Sequence, residues 1–312
     1  MSDKKDTKTL GYYLIGGIWY LFSLLPLRVL YAIADVLYLL VYHVIGYRKR
    51  TVRKNLSNSF PEKTPQERKQ IEKGFYHFFC DYLAESIKQF SITPEEMKKR
   101  MVITGTDEAI RQMEREGKNF CFVYLGHYCN WEWIASMPYW MPQDILCAQI
   151  YHPLYSKTFD QLFLRIRNKF GGECIPMKET LRRIIELRRA KQKTFIGFIS
   201  DQGPKWNSIH HYTQFLNQET AVFIGTEKIA KQVGAVIYYG DVRKVKRGYY
   251  TCDLKPLIDV PVNEIPDWEL TDLYTQKLES MIRETPEPWL WSHNRWKRTK
   301  EEWLRRQKNG TT

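Results

Sequence analysis

His127 and Glu132 put an imidazole and a carboxylate five residues apart in the run Phe120-Cys-Phe-Val-Tyr-Leu-Gly-His-Tyr-Cys-Asn-Trp-Glu-Trp133. Composition alone nearly supplies one such pair, so the setting has to carry the reading. An apolar, β-rich segment ends at Gly126 and the histidine follows at once, where a strand breaks toward a helix. On a continuous helix, five steps would leave the two side chains about 140° apart. With His127 on the loop and Glu132 in the first helical turn, the carboxylate can fold back and hold the imidazole tautomer, as a base and its orienter do. Asn130 is then a suitable N-cap for that helix.

A nucleophile from the chain itself is missing. No Gly-x-Ser-x-Gly elbow occurs, and nothing makes Cys129 face the base. The nucleophile is therefore assigned to the substrate: His127 deprotonates a hydroxyl, which attacks an activated acyl group. That chemistry needs no metal or redox cofactor. No metal site is expected, because His210 and His211 are adjacent without a partner at ligand spacing and no His-Glu-x-x-His occurs. The six cysteines include no Cys-x-x-Cys pair, which predicts reduced core thiols.

The elements that position these residues follow from periodicity and turn chemistry. Thr64-Pro65-Gln66-Glu67 is a capping box, and Ile71, Phe75, Phe78, Tyr82, Ile87 and Phe90 follow at helical spacing. Thr93-Pro94-Glu95-Glu96 repeats the cap, and 106–116 gives a short helix stopped by Gly117. Strands are then predicted at 119–125, 144–150, 194–200 and 235–241, and helices at 130–140, 155–170, 178–191 and 221–233. Arg247-Gly248 between apolar runs predicts a hairpin over 242–258. The alternation predicts an α/β fold with a mixed, mostly parallel central sheet flanked by helices, its catalytic loops at the strand ends.

Residues 10–27 carry no charge, and a second apolar run, 29–47, is interrupted only by Asp35 and His43. Eighteen helical residues cover about 27 Å, close to a bilayer's hydrocarbon thickness, so a spanning or deeply inserted helix is expected. The second run either continues the anchor, lies in the interface or packs on the domain. Arg48, Lys49, Arg50, Arg53 and Lys54 follow, suited to anionic phospholipid headgroups and to a cytoplasmic location for the rest of the chain. This divides the chain into a membrane-anchoring helical segment, 1–46, and a catalytic domain, 47–312. A cleaved signal peptide is the rival, since Lys4, Lys5 and Lys8 precede the run and Ala32-Ile33-Ala34 resembles a cleavage site. The apolar stretch is too long for a usual signal core, and the basic cluster opposes export. The formal charge of +13 fits an anionic partner. A basic tethering or RNA-binding protein would explain that charge but not His127 and Glu132, and no RNP-type or helix-turn-helix pattern points to nucleic acid.

The chain resembles the late (secondary) lipid A acyltransferases, relatives of the glycerolipid acyltransferases with their His-x4-Asp/Glu motif. Six blocks carry the resemblance over nearly the whole chain. They are Leu25-Pro-Leu-Arg-Val-Leu-Tyr31 with Gly46–Arg50 and Asn55–Pro61 after it, Gly126–Trp133, Tyr151-His-Pro-Leu154, Arg165-Ile-Arg167, Ser200-Asp-Gln-Gly-Pro204 and Pro286–Trp296. The resemblance implies an enzyme of the inner membrane that moves a fatty acyl chain from acyl-acyl carrier protein to a hydroxyl of a lipid A precursor. It makes His127 the base and Glu132 its partner, and aligns Arg165 and Arg167 with a basic pair for substrate phosphates or the oxyanion. Asp201 and Gln202 fall on a polar turn after a strand. One departure stands out: His152 precedes the proline where many members have arginine. Arg165 and Arg167 are two apart on a predicted helix, so both cannot point into one site. The same chemistry on another membrane lipid, a glycolipid or aminolipid, is the alternative acceptor.

Overall fold

In a computed structural model of the chain, residues 9–310 are described. Lys4, Lys5 and Lys8, on which the signal-peptide alternative leans, lie outside them. The chain enters through α1 (Leu10–Ser23) and α2 (Leu27–Leu39), which runs on as a π-helical turn to Ile45. Four further helices and two strands bring it to the central segment: α3 (Lys49–Ser59), α4 (Pro65–Lys88), α5 (Pro94–Arg100), β1 (Met101–Thr104), α6 (Thr106–Arg115) and β2 (Phe120–Leu125). After β2 come β3 (Leu146–Tyr151), α7 (Lys157–Asn168), β4 (Glu173–Pro176), α8 (Thr180–Arg189) and β5 (Thr194–Ile199). The remainder is β6 (His211–Phe215), β7 (Gln218–Val222), α9 (Gly225–Val233), β8 (Val236–Lys246), β9 (Tyr249–Pro256), α10 (Glu269–Glu284) and α11 (Lys300–Lys308).

Seven strands form one sheet in the order β1-β9-β8-β2-β5-β3-β4. Every neighbouring pair is parallel except β8 with β9, which is the hairpin expected at Arg247-Gly248. The mixed, mostly parallel α/β sheet is thus as read from the sequence. All six residues of β2 are buried, as a central strand covered on both faces requires. Within this sheet the strands absent from the sequence reading, β1 and β4, are four residues each and form its two edges; neither is long enough to display a period.

Both capping predictions hold. Thr64 Oγ1 accepts from Glu67 N at 3.2 Å while Glu67 Oε2 accepts from Thr64 N at 2.7 Å, and Thr93 Oγ1 accepts from Glu96 N. Two helix predictions need correction. Residues 221–233 are divided: Leu216 and Asn217 both adopt positive φ, the geometry of a tight hairpin turn, so Gln218–Val222 pairs with His211–Phe215 and the helix starts at Gly225. Residues 130–140 form a 3₁₀ segment, Trp133–Trp140, rather than an α-helix, with Pro138 inside it removing a backbone donor. The first apolar run is also broken. α1 stops at Ser23, and Pro26 precedes α2, so 10–27 is not one continuous helix. All six cysteines are free thiols, five of them buried.

Candidate active site

The register of the sheet builds the site. β2 and β5 run parallel with Leu125 beside Ile199, so two residues beyond each strand His127 stands beside Asp201. The carboxyl ends of adjacent parallel strands are where open α/β sheets gather their chemistry. His127 Nδ1 lies 2.5 Å from Asp201 Oδ1, and the His127 backbone N–H donates to Asp201 Oδ2 at 2.9 Å. Trp289 Nε1 donates to that same Oδ2 at 2.9 Å. Burial alone would raise the Asp201 carboxyl, but the imidazole's charge and these donors outweigh it and hold it down at about 2. An imidazole whose Nδ1–H is committed to a carboxylate presents Nε2 as a base. Here Nε2 faces the Gln202 amide nitrogen at 3.3 Å, so Gln202 is part of the site.

Glu132 does not orient His127. Among the described residues no hydrogen bond joins them. The Glu132 carboxylate instead takes Arg167 in two bonds, Nε to Oε2 at 2.8 Å and Nη2 to Oε1 at 2.6 Å. Burial pulls the Arg167 guanidinium down, yet the adjoining carboxylate prevails and the net shift is upward. A fifth of the Arg167 side chain remains exposed, so this cation is still open to solvent. Arg165, by contrast, is exposed and sits over the Phe90 ring, outside the site. The question of which arginine points inward is settled by α7: Arg167 does.

Asn130 sets the turn between His127 and Glu132. Its Oδ1 accepts from Trp133 N at 3.1 Å, close to the capping role expected of it, and its Nδ2 donates to Glu85 Oε2 at 2.6 Å. Glu85 is fully buried and also accepts from Tyr31 and Tyr250 hydroxyls at 2.8 and 2.9 Å. Burial pushes its carboxyl up to about 7 despite those donors. Asn130 is itself buried, so its contribution is to the loop rather than to substrate contact. Trp131 stacks on Tyr82 with ring centroids 4.3 Å apart and turns its face edgewise to His127 at 5.2 Å, giving the imidazole an apolar wall.

The segment Pro286–Trp296 straps the catalytic loop in place. Tyr128 bridges Trp289 in antiparallel fashion, Cys129 N donates to Pro288 O at 3.0 Å, and Leu290 N donates to His127 O at 3.2 Å. Cys129 holds a left-handed φ of 53° there, and burial pushes its thiol up, away from the nucleophilic thiolate. Among the described residues, neither ring nitrogen of His127 bonds to a serine, threonine or cysteine. His293, from the same strap, is pushed down to about 4 by burial and adds no charge at neutral pH. In the sequence, Trp289 is only one of the tryptophans in the block Pro286–Trp296. Its indole bond to Asp201 becomes visible only when the strap lies across the strand ends. His152 is exposed beyond β3 and bonds its neighbour's carbonyl, Pro153 O, at 2.9 Å.

The end of a central parallel strand thus carries a carboxylate-held imidazole, with the Glu132–Arg167 pair on the segments that follow. The chain belongs to the bacterial lipid A biosynthesis acyltransferase family, whose model matches residues 2–298. It is 24% identical over 287 residues to the lipid A biosynthesis lauroyltransferase of Escherichia coli K12, covering 91% of this chain and 90% of that one. It is 22% identical over 283 residues to a lipid A biosynthesis acyltransferase of Haemophilus influenzae (88% and 86% covered), and 20% over 246 residues to lipid A biosynthesis acyltransferase 2 of Shigella flexneri (78% and 75%). The protein is therefore an acyltransferase of lipid A biosynthesis type.

Proposed function

We propose that the protein transfers a fatty acyl chain from acyl-acyl carrier protein to a hydroxyl of a lipid A precursor at the cytoplasmic face of the inner membrane. His127 Nε2 takes the proton of the acceptor hydroxyl. The resulting oxygen attacks the thioester carbonyl, and the pantetheine thiol leaves with that proton returned by the imidazolium. Asp201 holds the tautomer and stabilises the imidazolium. Arg167, fixed by Glu132, is the donor for the charge that develops on the carbonyl oxygen or for a substrate phosphate. The observation that supports this reading is the pairing of His127 Nδ1 with a buried Asp201 whose carboxyl is held down, with the Gln202 amide against Nε2. It replaces Glu132 by Asp201 as the orienting carboxylate.

Purified protein incubated with acyl-acyl carrier protein and a lipid A precursor should yield the precursor carrying one added acyl ester. His127→Ala should abolish the product in protein that still folds, as circular dichroism and gel filtration check. Near-normal turnover in that variant would sink the mechanism. Product found only on a glycolipid or aminolipid acceptor would keep the chemistry and change the substrate.

A further inference from the structure

The helix from Leu27 to Ile45 is nineteen residues long and apolar enough to cross a bilayer. The structure ties it along the domain instead. From its first turn to its last, Leu27, Leu30, Tyr31, Ala34, Val41 and Tyr42 join the core that also holds Phe75 of α4 and Phe122 of β2. Polar ties run along the same side. At mid-helix, Asp35 receives Arg247 at 2.6 and 3.2 Å, and that guanidinium also binds the buried Asp81 of α4. Tyr31 reaches Glu85, the Tyr76 hydroxyl donates to Tyr47 O at 2.5 Å, and Lys88 donates to the elbow carbonyls of Ser23 and Leu25. At the hairpin tip, a Cβ on Gly248 would lie 2.1 Å from the Tyr31 hydroxyl, so only glycine lets the turn come this close. Standing this helix across hydrocarbon would strip Asp35 of its cation, or pull α4 with its buried Glu72, Asp81 and Glu85 into lipid.

Its other side is exposed and carries one apolar stripe: Val29, Ile33, Val36, Leu40 and Val44, at steps of four, three, four and four. α1 repeats the pattern with Leu10, Leu14, Ile18 and Leu21. At fourteen residues, about 21 Å, it is too short to span. Trp19 of α1 packs its ring against Phe159 and Phe163 of α7, and Phe159, Leu154 and the fully exposed Tyr155 extend the apolar surface along α7, the helix that bears Arg167. Exposed Arg48, Arg50, Arg53 and Lys54 follow the second helix.

We infer that the protein is monotopic. α1, the helix from Leu27 to Ile45 and the 154–159 rim lie flat in one leaflet, their stripes in the acyl region and the basic residues at the phosphates, and no described helix crosses the bilayer. The inference deepens the acyl-transfer reading, since a lipid acceptor would then approach Arg167 and His127 from within that leaflet. It rests on that reading only for the presence of a lipid surface.

The test uses the full chain with an environment-sensitive fluorophore on a single cysteine at Val29, Val36 or Val44, in a Cys174→Ser background whose other five thiols are buried. Phosphatidylethanolamine–phosphatidylglycerol vesicles carry a nitroxide either near the headgroup or near the chain terminus. The expected result is a flat depth profile, with all three positions quenched more by the shallow label and to within about twofold of one another, as an interfacial helix requires. Deep quenching at Val36 between shallow ends overturns the inference in favour of a span. No quenching from either label overturns it in favour of a face covered by a second copy of the chain. Arg28→Cys and Arg50→Cys, exposed at the two ends, should react with an impermeant maleimide from the same side of membrane vesicles, and reaction from opposite sides is equally fatal. The profile needs no turnover, so His127→Ala protein should give it too. A flat profile in protein that never transfers acyl chains would sink the proposed reaction alone.

Discussion

Glu132 and Arg167 meet edge to edge, with both guanidinium bonds at 2.8 Å or less and only 4% of the carboxylate side chain exposed. Removing one partner strands the other in a dry site, which costs about 3–5 kcal/mol. Glu132→Ala and Arg167→Ala are therefore expected to lower both stability and acyl transfer, whereas Arg165→Ala should leave both within about twofold of wild type, as for most exposed positions. Urea midpoints beside initial rates check this. Equal losses at 165 and 167 would contradict the placement of α7.

Asp201→Asn keeps the shape of the site but removes the charge that holds the His127 tautomer. kcat should fall by about 10²–10⁴ in protein that still folds, with a lower melting temperature because the His127 and Trp289 donors lose their charged acceptor. Trp289→Phe, which deletes one of three bonds to that carboxylate, should cost about tenfold, one neutral-to-charged hydrogen bond's worth. Steady-state rates with saturating donor measure both. An Asp201→Asn enzyme of normal kcat would return the orienting role to another group.

Glu85 gives stability a pH dependence of known sign. The folded protein holds this proton up to about 7, whereas the unfolded chain releases it in the ordinary carboxylate range. Between those values the native state binds more protons, so stability falls as pH rises, by about 3 kcal/mol in all. Glu85→Gln should remove that slope. Denaturation midpoints at about pH 5 and about pH 8 test it, and an identical slope in both proteins would rule it out.

Gly126 is where strand becomes catalytic loop, and a Cβ there would stand 2.6 Å from Leu278 Cδ1 of α10. Gly126→Ala should destabilise by about 1–3 kcal/mol, the usual cost of overpacking, with loss of activity as the loop shifts. Adding Leu278→Ala should return part of both, read by thermal melts and rates on the single and double variants.

Much of this architecture was legible because its signals are local. The capping box at Thr64, the β-rich run into Gly126 and the Arg247-Gly248 turn each announce themselves within a few residues. Asp201 and Gln202 enter only through the family resemblance, as a polar turn after a strand. The partnership of His127 with Asp201 was not legible, because it depends on β5 lying beside β2 in a register no spacing in the chain encodes. Glu132 is nearer in sequence and of the right type, but its carboxylate is taken by Arg167, a partner 35 residues further along the chain. The short edge strands and the hairpin over 211–222 were lost for the opposite reason: too few residues to show a period.

The strap formed by Pro288, Trp289 and Leu290 carries a consequence for biosynthesis. Its backbone completes the bonds that fix His127 and Cys129, and its indole completes the cradle of Asp201. The last strand of the seven-stranded sheet ends at Pro256, and Trp289 stands 33 residues further on, so every strand of the sheet is synthesised well before the indole that completes the Asp201 cradle.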